Sequence, residues 1–216
     1  GTVGDGARRN AIGVHSGSRN NKSTSQQLVE FMLSRAGVAA DQVNFLSAGQ
    51  SHAEQRAALA SGAIDALMGE EPFTSKLQEE GLVFVLADLH TPTATRQALG
   101  GPFLYVQLAT RGSLLAQQPE KVKRMNAVMR RTLHWIASHS PDEIARMLAN
   151  GESERQREIS RLLLRSKGAF SPDGVFRREE VETTERFFHA VFSADAKARA
   201  LRMSDLIDAR YAGWRD

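Results

Sequence analysis

Residues 45–77, FLSAGQSHAEQRAALASGAIDALMGEEPFTSKL, decide the fold. The opening Phe45 and Leu46 close a short β-prone run, and AGQS is a polar loop. The stretch from His52 to Ser61 reads as a helix stopped by Gly62. Ile64 to Met68 reads as a strand, and Glu70-Glu71-Pro72 leads into a further helix with proline near its first position. Strands alternating with helices in this way imply a mostly parallel sheet flanked by helices. Glu71 then falls in the turn just past the carboxyl end of a strand, the edge where open α/β sheets bind small ligands. The plainer alternative is a surface turn whose carboxylates favour the next helix N-terminus.

The same alternation extends outward on both sides. Ala11 to His15 (AIGVH) is a short apolar strand, and SGSRNNKSTS is a turn-rich loop with Ser23 or Thr24 as a natural N-cap. The helix through QQLVEFMLSRAG places Leu28, Phe31, Met32 and Arg35 on one face, with Gly37 as its stop. Val43 to Leu46 is the second strand. After the helix from Pro72 to Glu80, Gly81 is a stop, and Leu82 to Ala87 (LVFVLA) is a fourth strand. The first half therefore reads β-α-β-α-β-α-β. Residues 88–102, DLHTPTATRQALGGP, carry two prolines and adjacent glycines and mark a boundary. One more strand is expected over 103–110. Helices follow over about 120–138, 141–148, 154–167 and 177–192, with a weaker stretch near 196–210. Between two of them, FSPDG at 170–174 is a turn by composition.

Composition bounds the function. The chain has 216 residues, 41% of them hydrophobic and 25% charged, as in ordinary globular proteins. The 28 Lys and Arg are interleaved with 25 Asp and Glu, giving a net charge of +3. Runs such as RQREISRLLLRSK read as solvated helix faces. With only 6% aromatic residues and no basic stripe, the sequence argues against nucleic-acid binding. No apolar run approaches the length of a membrane span. The first eleven residues lack a signal-peptide core, so an export signal would lie upstream. Cysteine is absent, which removes disulfides, thiolate nucleophiles and cysteine metal sites together.

The loop from Ser16 to Thr24 sits between a strand and a helix N-terminus. Backbone N–H groups and hydroxyls there favour an anion or a strongly polar group. No nucleotide fingerprint of either glycine-rich type is present. The loop Ala48-Gly49-Gln50-Ser51-His52 faces the same sheet edge, where Gln50 and His52 could hydrogen-bond a ligand. His52 has no metal partner at helical spacing, and His15, His90, His139 and His189 form no recognisable cluster. No GxSxG elbow and no singled-out carboxylate pair is found, so the residues make no case for catalysis. His134 and Trp135 lie within a helix, with Trp135 read as packing.

Taken in order, the segments AIGVHSGS, LVEFMLSRAGVAADQVNFLSAG, AALASGAIDALMGEEPFTSKL, VLADL and PEKVKRMNAVMRRTLHWIASHSPDEIARML resemble the periplasmic solute-binding proteins of ABC transporters, in the nitrate/sulfonate/taurine and thiamine-precursor-binding family. FSPDGVFRREEVE and MSDLIDARYAGW resemble the family's tail. The resemblance implies a type II periplasmic-binding-protein-like α/β fold with a helical C-terminal region. Residues 1–10 would be an irregular lead-in, 11–98 lobe two, and 99–216 the return strand and helices of lobe one. It implies a small-molecule ligand such as a sulfonate, nitrate, taurine or thiamine precursor held in an inter-lobe cleft, an ABC permease as partner, periplasmic location, and no metal or cofactor. Ligand contacts carried over by loop position are Ser16, Ser18, Ser23, Thr24, Gln50 and Glu71. Family members carry about 90 further residues before the AIGV-like strand, the N-terminal part of lobe one. Without them, the strand at 103–110 is an exposed edge that favours a homodimer or domain swap. A ligand-sensing domain of a regulator or receptor is the alternative reading. A thiamine-pyrimidine synthase is a further one, against which the absence of cysteine weighs.

Overall fold

Gly13 sits at the centre of the N-terminal sheet for a steric reason. A Cβ there would lie 2.7 Å from both Ala48 Cβ and Ile64 Cδ1, so only glycine lets the neighbouring segments close on its strand. The computed structural model describes residues 10–17 and 22–216, and the chain divides into two units, Gly1–Leu86 and Ala87–Asp216.

In the first unit, β1 (Ala11–Val14) pairs in parallel with β2 (Asn44–Ser47) on one side and β3 (Ala66–Leu67) on the other. The order β2-β1-β3 reverses direction between β1 and β3. That is the kind of switch point at which strand-end loops diverge and leave a crevice. The register sets Val14 opposite Ser47 and Gly13 opposite Leu67. The intervening helices are α1 (Thr24–Arg35), α2 (His52–Ala60) and α3 (Phe73–Glu79). Helix α1 starts where Ser23 Oγ accepts the Gln26 N–H. Helix α2 starts with a full capping box, Ser51 and Glu54 each satisfying the other's backbone. Val14, Leu28, Val29, Ala48, Ile64 and Leu77 form the apolar core.

Residues 82–87 form no strand, contrary to expectation. β3 pairs over two residues only, and no described segment adds a ladder beyond it. Composition makes LVFVLA β-prone, but a strand needs a partner's backbone, and none is supplied. Phe84 and Leu86 are in consequence 79% and 81% exposed.

The second unit is mainly helical. Its elements are α4 (Pro92–Leu99), α5 (Gly112–Gln117), α6 (Pro119–Ser138), α7 (Pro141–Leu148), α8 (Ser153–Ser166), α9 (Arg178–Val191), α10 (Ala196–Ala200) and α11 (Ala209–Ala212). Two residues each of β4 (Phe176–Arg177) and β5 (Trp214–Arg215) pair in parallel and tie the chain's end to the start of α9. The core gathers Leu99, Ile144, Ala145, Leu163, Val181 and Phe187. Phe103 stands edge-on to Phe187 at 5.2 Å between ring centres. The expected strand at 103–110 is absent for the same reason as 82–87: it has no ladder partner among the described residues, and Val106 is 92% exposed. The stretch read as a boundary, 88–102, contains the helix α4. Thr91 caps it, Pro92 occupies its first turn, and Gly100 ends it at φ 83°. The weak helix expected over 196–210 is broken into α10, a 3₁₀ turn at Met203–Leu206, and α11.

Candidate functional site

The carboxyl ends of β1, β2 and β3 put three polar loops along one edge of the first unit. Just past β1, the Ser16 hydroxyl shares a 2.7 Å hydrogen bond with that of Ser47, the last residue of β2. The His15 N–H donates to Ser25 Oγ at 3.0 Å, and Ser25 in turn meets Ser23 Oγ at 3.0 Å. The strand end is thereby pinned to the first turn of α1. On the other side of β1, His15 Nε2 lies 3.7 Å from Glu70 Oε1, across the switch point. Glu71 accepts the Ser75 hydroxyl at 2.6 Å, and the Glu71–Pro72 peptide is cis. Ser16, Ser23 and the Glu70-Glu71 turn are therefore brought to one edge and linked through His15 and Ser25.

Other expected positions behave differently. Thr24 opens α1 with an exposed side chain. Gln50 is exposed at the start of α2, where its N–H donates to Glu54 Oε2 at 3.0 Å. The Ser51 hydroxyl and the Gln50 and Ser51 amides stabilise the Glu54 carboxylate and hold its pKa below the ordinary value, against a small burial effect. Ser18 lies outside the described residues, as do residues 1–9 of the lead-in. His52 Nε2 lies 3.0 Å from Oε1 of Glu80, the C-cap residue of α3.

Sequence reasoning missed Ser47, Ser25 and His15, whose roles come from register and loop closure. It also missed Gln55. That side chain is fully buried on α2, and neither its Nε2 nor its Oε1 has a hydrogen-bond partner among the described residues. Among the described residues no group of three or more His, Asp or Glu could hold a metal ion. No described helix is long and apolar enough to cross a membrane.

The first unit thus presents helix N-termini and hydroxyl-bearing loops at one edge of a parallel α/β sheet, the edge at which sheets of this kind hold small ligands. A family model described as NMT1/THI5 like matches residues 16–144, and the chain belongs to that family. Members of that family are mostly binding proteins. A solved structure of a protein from Bordetella bronchiseptica RB50 is similar over 96% of this chain, with a TM-score of 0.69 and 24% identity. That likeness is one of fold. The chain spans 61% of the length of that structure. No curated protein matches the sequence.

Proposed function

We propose that the chain is the substrate-binding component of an ABC importer, acting in the periplasm. It takes a small polar or anionic solute at the carboxyl edge of β2-β1-β3 and delivers it to a membrane permease. The observation that carries this reading is the convergence of the Ser16, Ser23 and Glu71 loops on one sheet edge in a chain of the NMT1/THI5-like family. In this reading Ser16, Ser18, Ser23 and Thr24 offer hydroxyls, and the first turn of α1 offers backbone N–H groups to an acceptor on the solute. Gln50 supplies an amide, and Glu71 accepts from a hydroxyl or amine. The solute-bound form is the one the permease recognises. Residues 11–98 and 99–216 are read as parts of the two lobes of such a protein. The proposed solute classes are sulfonates, nitrate, taurine and thiamine precursors.

Native mass spectrometry of the purified chain against taurine, an alkanesulfonate, nitrate, a carboxylate and a pyrimidine tests the reading. One member should add at one molecule per chain. Ser16→Ala and Glu71→Gln should each weaken its binding about tenfold, the worth of one good hydrogen bond. Absence of any adduct across the panel, or equal binding by both variants, would overturn it.

A further inference from the structure

A concave feature lies wholly in the C-terminal unit. It is an open groove of about 500 Å³ between the carboxyl half of α6 and the turn at 171–174. That size falls within the range of small-molecule sites. Arg130, Arg131, His134 and Ser138 line it from α6, Trp135 gives it an apolar wall, and Asp173 closes it from the turn.

The two walls are fixed to each other. Arg130 Nε donates to the Asp173 carbonyl at 3.1 Å. Gly174, at φ 66°, sits so close to α6 that a Cβ would come within 3.1 Å of Leu133 Cδ1 and 3.3 Å of Arg130 Cγ. Inside the turn the Ser171 hydroxyl accepts the Gly174 N–H, and Asp173 Oδ1 accepts the Val175 N–H. Trp135 is itself held by stacking on His139, with ring centres 4.4 Å apart. A groove with both walls clamped loses little entropy when it is filled.

Its charge is lopsided. The Asp173 carboxylate is already engaged by Arg177 at 3.0 Å and Arg215 at 3.2 Å. Arg131 and His134 have no hydrogen-bond or ion-pair partner among the described residues. Many other arginines of the chain are paired: Arg56 with Glu80, Arg96 with Glu179, Arg178 with Asp216 and Arg210 with Asp208. Three residues and four apart, Arg131, His134 and Trp135 share one face of α6. A planar guanidinium suits the two oxygens of a carboxylate or phosphate, and a neutral or charged imidazole offers at least one N–H. The indole beside them suits a flat ring.

We propose that this groove is a second binding site, for an organic anion whose carboxylate or phosphate is carried on a planar ring. Arg131 and His134 hold the anionic group, Arg130 adds charge from beside them, and the ring lies against Trp135. The site is independent of the solute site at the sheet edge, so either can stand without the other.

The chain has two tryptophans, Trp135 and Trp214, so its indole N–H spectrum has two signals to follow. Phenyl phosphate and benzoate, titrated separately, tell phosphate from carboxylate; inorganic phosphate and benzyl alcohol are the charge-only and ring-only controls. The Trp135 signal should shift saturably with at least one ring anion while that of Trp214 stays still. Each control should bind at least tenfold more weakly than that ring anion. Arg131→Gln and His134→Gln, at exposed positions, should keep the melting temperature and weaken binding about tenfold and severalfold respectively. No saturable shift of Trp135 below about 10 mM ring anion, or affinity unchanged in both variants, overturns the proposal.

Discussion

Replacing Gln55 by methionine should stabilise the protein. Gln55 is 0% exposed, and both ends of its amide are without partners among the described residues. A buried polar group left unsatisfied costs about 1–3 kcal/mol, because it gives up water and receives nothing in return. Methionine has similar length and volume, adapts to irregular packing and carries no group that demands a hydrogen bond. The expected gain is therefore about 1–3 kcal/mol. For a chain of this size each kcal/mol moves the melting temperature by about 2–4 °C, so a rise of about 2–12 °C is predicted. Thermal unfolding followed by circular dichroism reads it. Gln55→Ala is the control. It also removes the amide, but it leaves a cavity whose cost, about 2–5 kcal/mol for comparable truncations, should outweigh the gain. A Gln55→Met protein that melts at or below the parent temperature would refute the reasoning, because the amide would then be contributing bonds rather than lacking them.

Three further predictions follow from single sites. Gly13→Ala should lower stability by about 1–3 kcal/mol, since the new methyl group meets Ala48 and Ile64 at 2.7 Å; an unchanged denaturant midpoint would count against the register given for β1. Ser23→Ala should cost about 1 kcal/mol through loss of the α1 cap, seen as a melting temperature lower by a few degrees; full retention would mean that another group caps the helix. At Asp173, partial burial opposes the charge, but the Val175 amide and the Arg177 and Arg215 guanidiniums outweigh it and hold the carboxyl below its ordinary 3.8. A depressed folded-state value means that the contribution is complete above the unfolded value and is lost as pH falls through the folded one. Asp173→Asn should therefore melt lower than the parent at neutral pH, and the gap should start to narrow once the pH falls below 3.8 and close as it passes the folded value; a gap that does not narrow at all in acid contradicts the assignment.

The helices were legible wherever a cap and a periodic face coincided. Ser23, Ser51 and Ser140 each start a helix where a hydroxyl precedes an apolar-periodic run, and α6 to α9 match the expected spans to within a few residues. Helix α4 was hidden because Thr91-Pro92 and Gly100-Gly101 read as punctuation, although the same residues serve as cap, first turn and stop. The pair β4-β5 had no local signal, since it joins residues 38 positions apart over two residues each. Strand-like composition at 82–87 and 103–110 could not be tested from sequence, because a ladder depends on a second segment. At the sheet edge, loop position was readable from alternation alone. The partners that organise it were not: Ser47 reaches Ser16 only through the Val14–Ser47 register, and the His15 link to Ser25 depends on how the following loop closes.

The two unladdered segments bear on how the protein must be handled. LVFVLA at 82–87 and FLYVQLAT at 103–110 contain no charged residue and no proline, so neither carries an internal gatekeeper against self-pairing. Their aliphatic and aromatic side chains are of the kind that lock into cross-β stacks once many copies meet. The isolated chain should therefore lose solubility with rising concentration well before it unfolds. A lysine at Val106, the most exposed of these side chains, is the least disruptive place to interrupt that growth.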